Sequence, residues 1–310
     1  MFSLFIVESV SIFSEFFGGS YSEKNNLNSR MDLSSNNFWV HNCRFAHITY
    51  SSSGGSIYMS GSYFIVVEDS EFFNISASSG GSIYSSCTGS VLNRVCGNQI
   101  KGSSSAFGYF GADASNKNEA YLLSFARSIC PSTTYVAYFI RGNMNFNNLN
   151  SSYHHLYHHS GLLIEYSTKS LSKYIALASN FANGHISLCY WSGSDNKMEY
   201  SNFYNNSQIT ASGNIHNGGS AVSELSYYVF LLNTRTYLFA PASGSLKIMN
   251  SWSDDYSQSS LFSNTLSMSY TINIHHYSTF YCINPGSILE STSSRTVFQP
   301  FLLFYGLIFQ

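Results

Sequence analysis

Ten histidines and 16 acidic residues are the main stock of reactive side chains in this sequence, and they gather in few places. The densest cluster is His154-His155-Leu156-Tyr157-His158-His159. Neutral imidazoles are common ligands for zinc and copper, and on a helix His154/His158 and His155/His159 would each form an i,i+4 pair. The surrounding Asn-Ser-Tyr-rich sequence argues for no helix, and no flanking carboxylate supplies a further ligand. A loop without metal is expected. Glu68, Asp69 and Glu71 come nearest to a cation-binding or polysaccharide-cleaving acid set, because on a regular strand Asp69 and Glu71 share a face. They lack a basic partner for an acidic sugar, so an exposed strand is expected. Asp254-Asp255 would point to opposite faces and reads as a solvated turn.

No nucleophile motif accompanies Cys189 and His185, and no glycine-rich turn runs on into a lysine and a helix start as a phosphate loop requires. The six cysteines (Cys43, Cys87, Cys96, Cys130, Cys189, Cys282) show no metal spacing. They are expected mainly as buried thiols, with disulfides open if the chain is exported. No catalytic residue, metal ligand or cofactor is therefore assigned. Three sequons, at Asn74, Asn150 and Asn205, mark possible glycosylation sites of a secreted protein.

What positions these residues is set by composition. The 310 residues carry only 10% charged side chains, with 14 basic against 16 acidic, where an ordinary soluble domain has about 25%. That balance excludes a basic nucleic-acid face and an acidic tail. Polarity comes instead from 61 Ser and 29 Asn, beside 24 Tyr and 25 Phe. Aromatic and β-branched residues favour strands, while Ser, Asn and Gly favour turns. An all-β chain is expected.

Repeats then organise the strands. Gly-Gly-Ser occurs at Gly18-Gly19-Ser20, Gly54-Gly55-Ser56, Gly80-Gly81-Ser82 and Gly218-Gly219-Ser220, against about 0.3 occurrences expected from composition. Two copies extend to Gly-Gly-Ser-Ile-Tyr, 26 residues apart (80 − 54), a solenoid period. Upstream, Cys43-Arg44-Phe45 aligns with Ser70-Glu71-Phe72. Phe45, Phe72, Ile57 and Ile83 are assigned to a stacked core, and Asn74 to a turn ladder with its equivalents above and below. The glycine pairs at Gly54/Gly55, Gly80/Gly81 and Gly218/Gly219 are assigned to corners that need positive φ or close backbone approach. Outward Glu71 alternates with inward Phe72. One such coil cannot bury its apolar face alone, so the coils must stack. The expected product is a parallel β-helix.

Gly54-Gly55-Ser56-Ile57, Gly80-Gly81-Ser82-Ile83 and Phe203-Tyr204-Asn205-Asn206 resemble the Gly-Gly-Ala-Ile and Phe-x-x-Asn elements of the polymorphic outer-membrane-protein repeats of chlamydiae. Their protist relatives include the large surface-protein families of trichomonads. The resemblance implies a right-handed, single-stranded parallel β-helix with a surface or adhesin role. Ser replaces the family's Ala, and the clear repeats cover residues 40 to 90. The membrane barrel that ends the bacterial proteins is not evident, so autotransport is not carried over.

The expected organisation is an entry segment at 1–35, a β-helix of about 10 to 12 coils at 36–290, and an apolar segment at 291–310. That last segment is either a final coil or a truncated membrane anchor. The apolar start of the chain is expected as strand, and 102–118 as a protruding loop. The expected function is noncatalytic interaction at the cell surface or outside the cell, with a protein or glycan partner and no nucleic acid. The competing class is a carbohydrate-active enzyme on the same fold.

Overall fold

In a computed structural model the described residues are 12–263, apart from 131–134, 157–160, 184–187, 194, 210–214, 235–238, 241–242 and 255–261. The segment 291–310, with His158, His159, Asp255 and Cys282, lies outside them. Nearly all the described chain is strand, and every inter-strand pairing is parallel. The chain is a parallel β-helix of about eight turns. A 22-stranded sheet wraps three faces, and six two-residue strands, from Ser76–Ala77 to Ser207–Gln208, form a narrow fourth.

The 26-residue period appears directly as register, Ile57 on Ile83 and Tyr58 on Tyr84. The first face stacks Met31, Ile57, Ile83, Gly108, Ala137, Leu162, Leu188, Ile215 and Phe239 in line. The third face pairs Arg44 with Glu71 and Phe45 with Phe72. The Phe45 and Phe72 rings are buried and stacked at 5.1 Å. In the next turn the place of the ring falls to Gly97, and Phe107 fills the gap: a Cβ on Gly97 would lie 2.5 Å from its ring. Phe107 then stacks on Phe125 at 5.3 Å.

Between faces the chain turns through single residues in the left-handed region. One corner runs up the solenoid as Asp69, Arg94, Leu122, Asn148, Tyr174, Tyr200, Tyr227 and Asn250, all at positive φ. A second runs as Asn74, Gln99, Arg127, Tyr153, Ser179, Asn205 and Leu232. Each such residue breaks the two-residue alternation, so the chain stays in phase with the core on both sides of the bend.

Asn74 (φ 48°) is a corner residue, exposed and hydrogen-bonded across 2.9 Å to His47, the corner residue of the coil below; the inward position is Ile75. An inward polar ladder does exist, one residue later in the coil and higher in the solenoid. The backbone N–H of Ser128 donates to His154 Nδ1 at 3.0 Å, and those of His154, Asn180 and Asn206 donate to Oδ1 of Asn180, Asn206 and Asn233, each at 3.1 Å. Nδ2 of Asn180, Asn206 and Asn233 donates to the carbonyls of Ser151, Leu177 and Phe203. Glu71, expected outward and exposed, is buried beside Arg44.

The paired glycines divide the two roles between them. Gly54 and Gly80 take positive φ (66° and 55°), whereas Gly55 and Gly81 answer close approach: a Cβ on Gly81 would lie 2.0 Å from the Ala106 carbonyl oxygen. Gly218-Gly219 is not their equivalent. Gly218 ends a first-face strand paired with Trp191, and Gly219 (φ 60°) continues a corner shared with Arg141, Tyr166 and Ser192.

The coils begin before residue 36, since Ser22–Asn25 already pairs with Phe38–His41. Residues Ile12–Phe16 form a helix, α1, instead of a strand. Buried Phe13 and Phe17 cover Val66 and Val91 on the outside of the second face, and Phe17 stacks on Phe64 at 4.4 Å. The expected loop at 102–118 is largely a coil: Ser105–Gly111 is strand with Phe107 and Phe110 buried. Only 103–104 and 112–116 are not strand.

Candidate recognition faces

The acid cluster is divided by the corner at Asp69. Because Asp69 is left-handed (φ 44°), it does not share a face with Glu71. Instead Glu68 and Asp69 both meet Arg94, which binds Asp69 through two nitrogens at 2.5 and 2.8 Å and also contacts Glu68. Trp39 Nε1 donates to Glu68 at 3.1 Å and Asn93 Nδ2 at 3.3 Å. Burial pushes the Glu68 carboxyl above its usual range, against the pull of Arg94. Glu71 is likewise raised by burial, with Arg44 Nε 3.5 Å away. All three carboxylates are held in ion pairs.

His154 and His155 separate to opposite sides. The first is buried in the polar ladder, and the second packs at a tilt on Phe181, ring centroids 4.5 Å apart. Burial pulls the His154 imidazole down to about 3. Among the described residues no group of three His, Cys, Asp or Glu has the arrangement of a metal site. Asp254 accepts from the Leu232 N–H at 2.6 Å. Cys43, Cys87 and Cys130 are buried free thiols, and Cys96 is disulfide-bonded. Of the three sequons, Asn74 and Asn205 project from the second corner column, whereas Asn150 is buried within a strand.

Two surface features escaped the motif search. Tyr58, Tyr84, Tyr109 and Tyr138 stand in register on the outer side of the first face, all half-buried. Tyr58, Tyr84 and Tyr109 stack at 5.4 and 4.8 Å with their planes within 11°. Tyr138 turns perpendicular to Tyr109 at 5.2 Å, and its hydroxyl donates to Glu165. Two residues along the strand, on the same side, the column is Ser60, Ser86 and Gly111, then Ile140. At Tyr109 these columns border an open groove of about 310 Å³, lined also by Ser86, Gly111, Asp113, Ile140 and Arg141.

The second feature is Tyr174, Tyr200 and Tyr227 on the first corner column. They stack at 5.6 and 4.8 Å and remain 39%, 36% and 39% exposed. All three sit at positive φ (57°, 53° and 60°), which costs a bulky residue about 1 kcal/mol or more. In the same column Asn148 and Asn250 occupy this conformation at less cost. The signal for the first feature was present in the Tyr of Gly-Gly-Ser-Ile-Tyr, and for the second in tyrosines 26 and 27 residues apart.

No family model matches this chain, and no curated protein or solved structure shows significant similarity to it.

Proposed function

We propose that this chain is a noncatalytic interaction protein of the adhesin type, a β-solenoid that offers uncharged, tyrosine-lined faces to a glycan or protein partner. The observation that carries this reading is the pair of outward tyrosine columns. Tyr174, Tyr200 and Tyr227 stay in solvent in a backbone conformation that Asn would occupy more cheaply, so folding alone does not favour tyrosine there. Stacked tyrosines are rigid and amphipathic, and they contribute contact area and hydroxyls with little loss of side-chain freedom on binding. A location at the cell surface or outside the cell fits the repeat resemblance, the exposed sequons at Asn74 and Asn205, and the disulfide at Cys96.

The enzyme reading draws no support from the acid cluster, because Glu68, Asp69 and Glu71 are held in ion pairs by Arg94 and Arg44. A glycan array probed with the full chain tests the proposal. Retention should fall when Tyr84 and Tyr109, or Tyr174, Tyr200 and Tyr227, are changed to Ser, and incubation should release no new reducing ends. Turnover abolished by Glu68→Gln or Asp69→Asn would establish the enzyme instead.

A further inference from the structure

The groove beside Tyr109 carries charges that the fold does not use. Asp113 and Arg141 both line it and both are exposed. Neither forms an ion pair among the described residues, although the acids and arginines at 68–71, 44 and 94 do. Arg141 stands at a corner (φ 62°) and its charge reaches the Tyr109 phenol. The backbone of Asp113 is pinned to the Thr88 carbonyl at 3.0 Å, so the carboxylate projects from a fixed position at the rim.

The shape of the groove narrows the choice of occupant. Its floor of Gly61, Ser86 and Gly111 runs along the solenoid axis for three turns and is closed by Ile140. At about 4.8 Å per turn this is a straight trough about 10 Å long, room for about two sugar units. The face of the Tyr109 ring is taken up by stacking on Tyr84 at 4.8 Å, so Tyr109 presents its ring edge and hydroxyl to the groove. An apolar ligand would gain little from such a lining. A polyanion would meet Asp113, and a polycation would meet Arg141. A hydroxyl-rich neutral chain satisfies both, with Asp113 accepting and Arg141 donating.

We propose that this groove is a subsite for a neutral, extended oligosaccharide lying along the solenoid axis, its hydroxyls held by Asp113, Arg141 and the Tyr109 phenol. The assignment rests on the recognition function proposed above and gives it a ligand class and a place. The test is calorimetric titration of the full chain with hexasaccharides of β-1,4-linked glucose, mannose and N-acetylglucosamine, and separately with oligogalacturonate. At least one neutral hexasaccharide should bind saturably. Its affinity should fall tenfold or more in Arg141→Ala and in Gly111→Leu, with the thermal midpoint unchanged. The Gly111 variant fills the floor without forcing the backbone, since a Cβ there meets Tyr109 and Ile140 at 3.3 and 3.5 Å.

Binding of oligogalacturonate alone, or of none of the four, overturns the proposal. Neutral binding that survives both groove variants but is lost on changing Tyr174, Tyr200 and Tyr227 to Ser also overturns it, and leaves the broader recognition reading standing. Release of reducing ends from a bound sugar would refute that broader reading itself.

Discussion

Replacing His154 by Asn is the perturbation whose outcome the coil geometry specifies most closely. His154 occupies the ladder position that Asn180, Asn206 and Asn233 fill in the turns above it. Its Nδ1 accepts from the Ser128 N–H at 3.0 Å, and its ring also meets the Phe125 carbonyl. An Asn there would keep the acceptor and could donate to the Phe125 carbonyl, which is the counterpart of the Ser151, Leu177 and Phe203 carbonyls. Burial lowers the folded-state value from 6.5 to about 3. Below pH 6.5 the unfolded state therefore binds a proton that the folded state refuses, and stability falls as pH falls until about pH 3. At 1.36 kcal/mol per pH unit the loss between pH 6.5 and 5 is about 2 kcal/mol. Urea unfolding of wild type and His154→Asn at pH 7 and pH 5 isolates this contribution, because His216 and the raised carboxyls of Glu68 and Glu71 act in both proteins. The variant should lose about 2 kcal/mol less than wild type over that interval. Equal losses in the two proteins would show that His154 is not a buried neutral ladder residue.

Three further outcomes follow from the same coordinates. Phe72→Ala should cost about 3 to 5 kcal/mol in chemical unfolding, since it removes a buried ring from the stack with Phe45. Gly81→Ala should lower the thermal midpoint by several degrees because its Cβ would press on the Ala106 and Lys101 carbonyl oxygens. The same change at Gly18, with no atom within 4 Å, should leave the midpoint in place. Tyr200→Asn should keep or raise stability by up to about 1 kcal/mol in a melting experiment, since Asn accepts positive φ more readily and the lost stacking is of similar size.

The sequence made the repeat legible because stacking demands it. The 26-residue offset between the two Gly-Gly-Ser-Ile-Tyr copies is the offset of the backbone ladder at Ile57 and Ile83, and Phe45 lies over Phe72 at an offset of 27 (72 − 45). What stayed hidden lies at the bends. A left-handed residue can be Asn, Asp, Arg, Leu, Gln, Ser or Tyr here, so composition did not mark the corners. Each unmarked bend shifts the inward-outward phase. That is why the sequence reads Asp69 as sharing a face with Glu71, which the corner at Asp69 prevents. Glycine carried two meanings, and Gly218-Gly219 shared a string with Gly54-Gly55 but not a place in the coil. The groove was invisible because its wall, floor and rim come from Tyr109, Gly111, Asp113 and Arg141 in coils of unequal length. Tyr84 to Tyr109 spans 25 residues (109 − 84), and Tyr109 to Tyr138 spans 29 (138 − 109).

Hydrogen-deuterium exchange of the full chain, with and without the tightest-binding neutral hexasaccharide, tests the recognition face most directly. Protection should appear in peptides covering 84–88, 109–113 and 138–141, with 68–71 unchanged. Protection centred on Glu68, Asp69 and Glu71, with the tyrosine groove unaffected, would contradict the account.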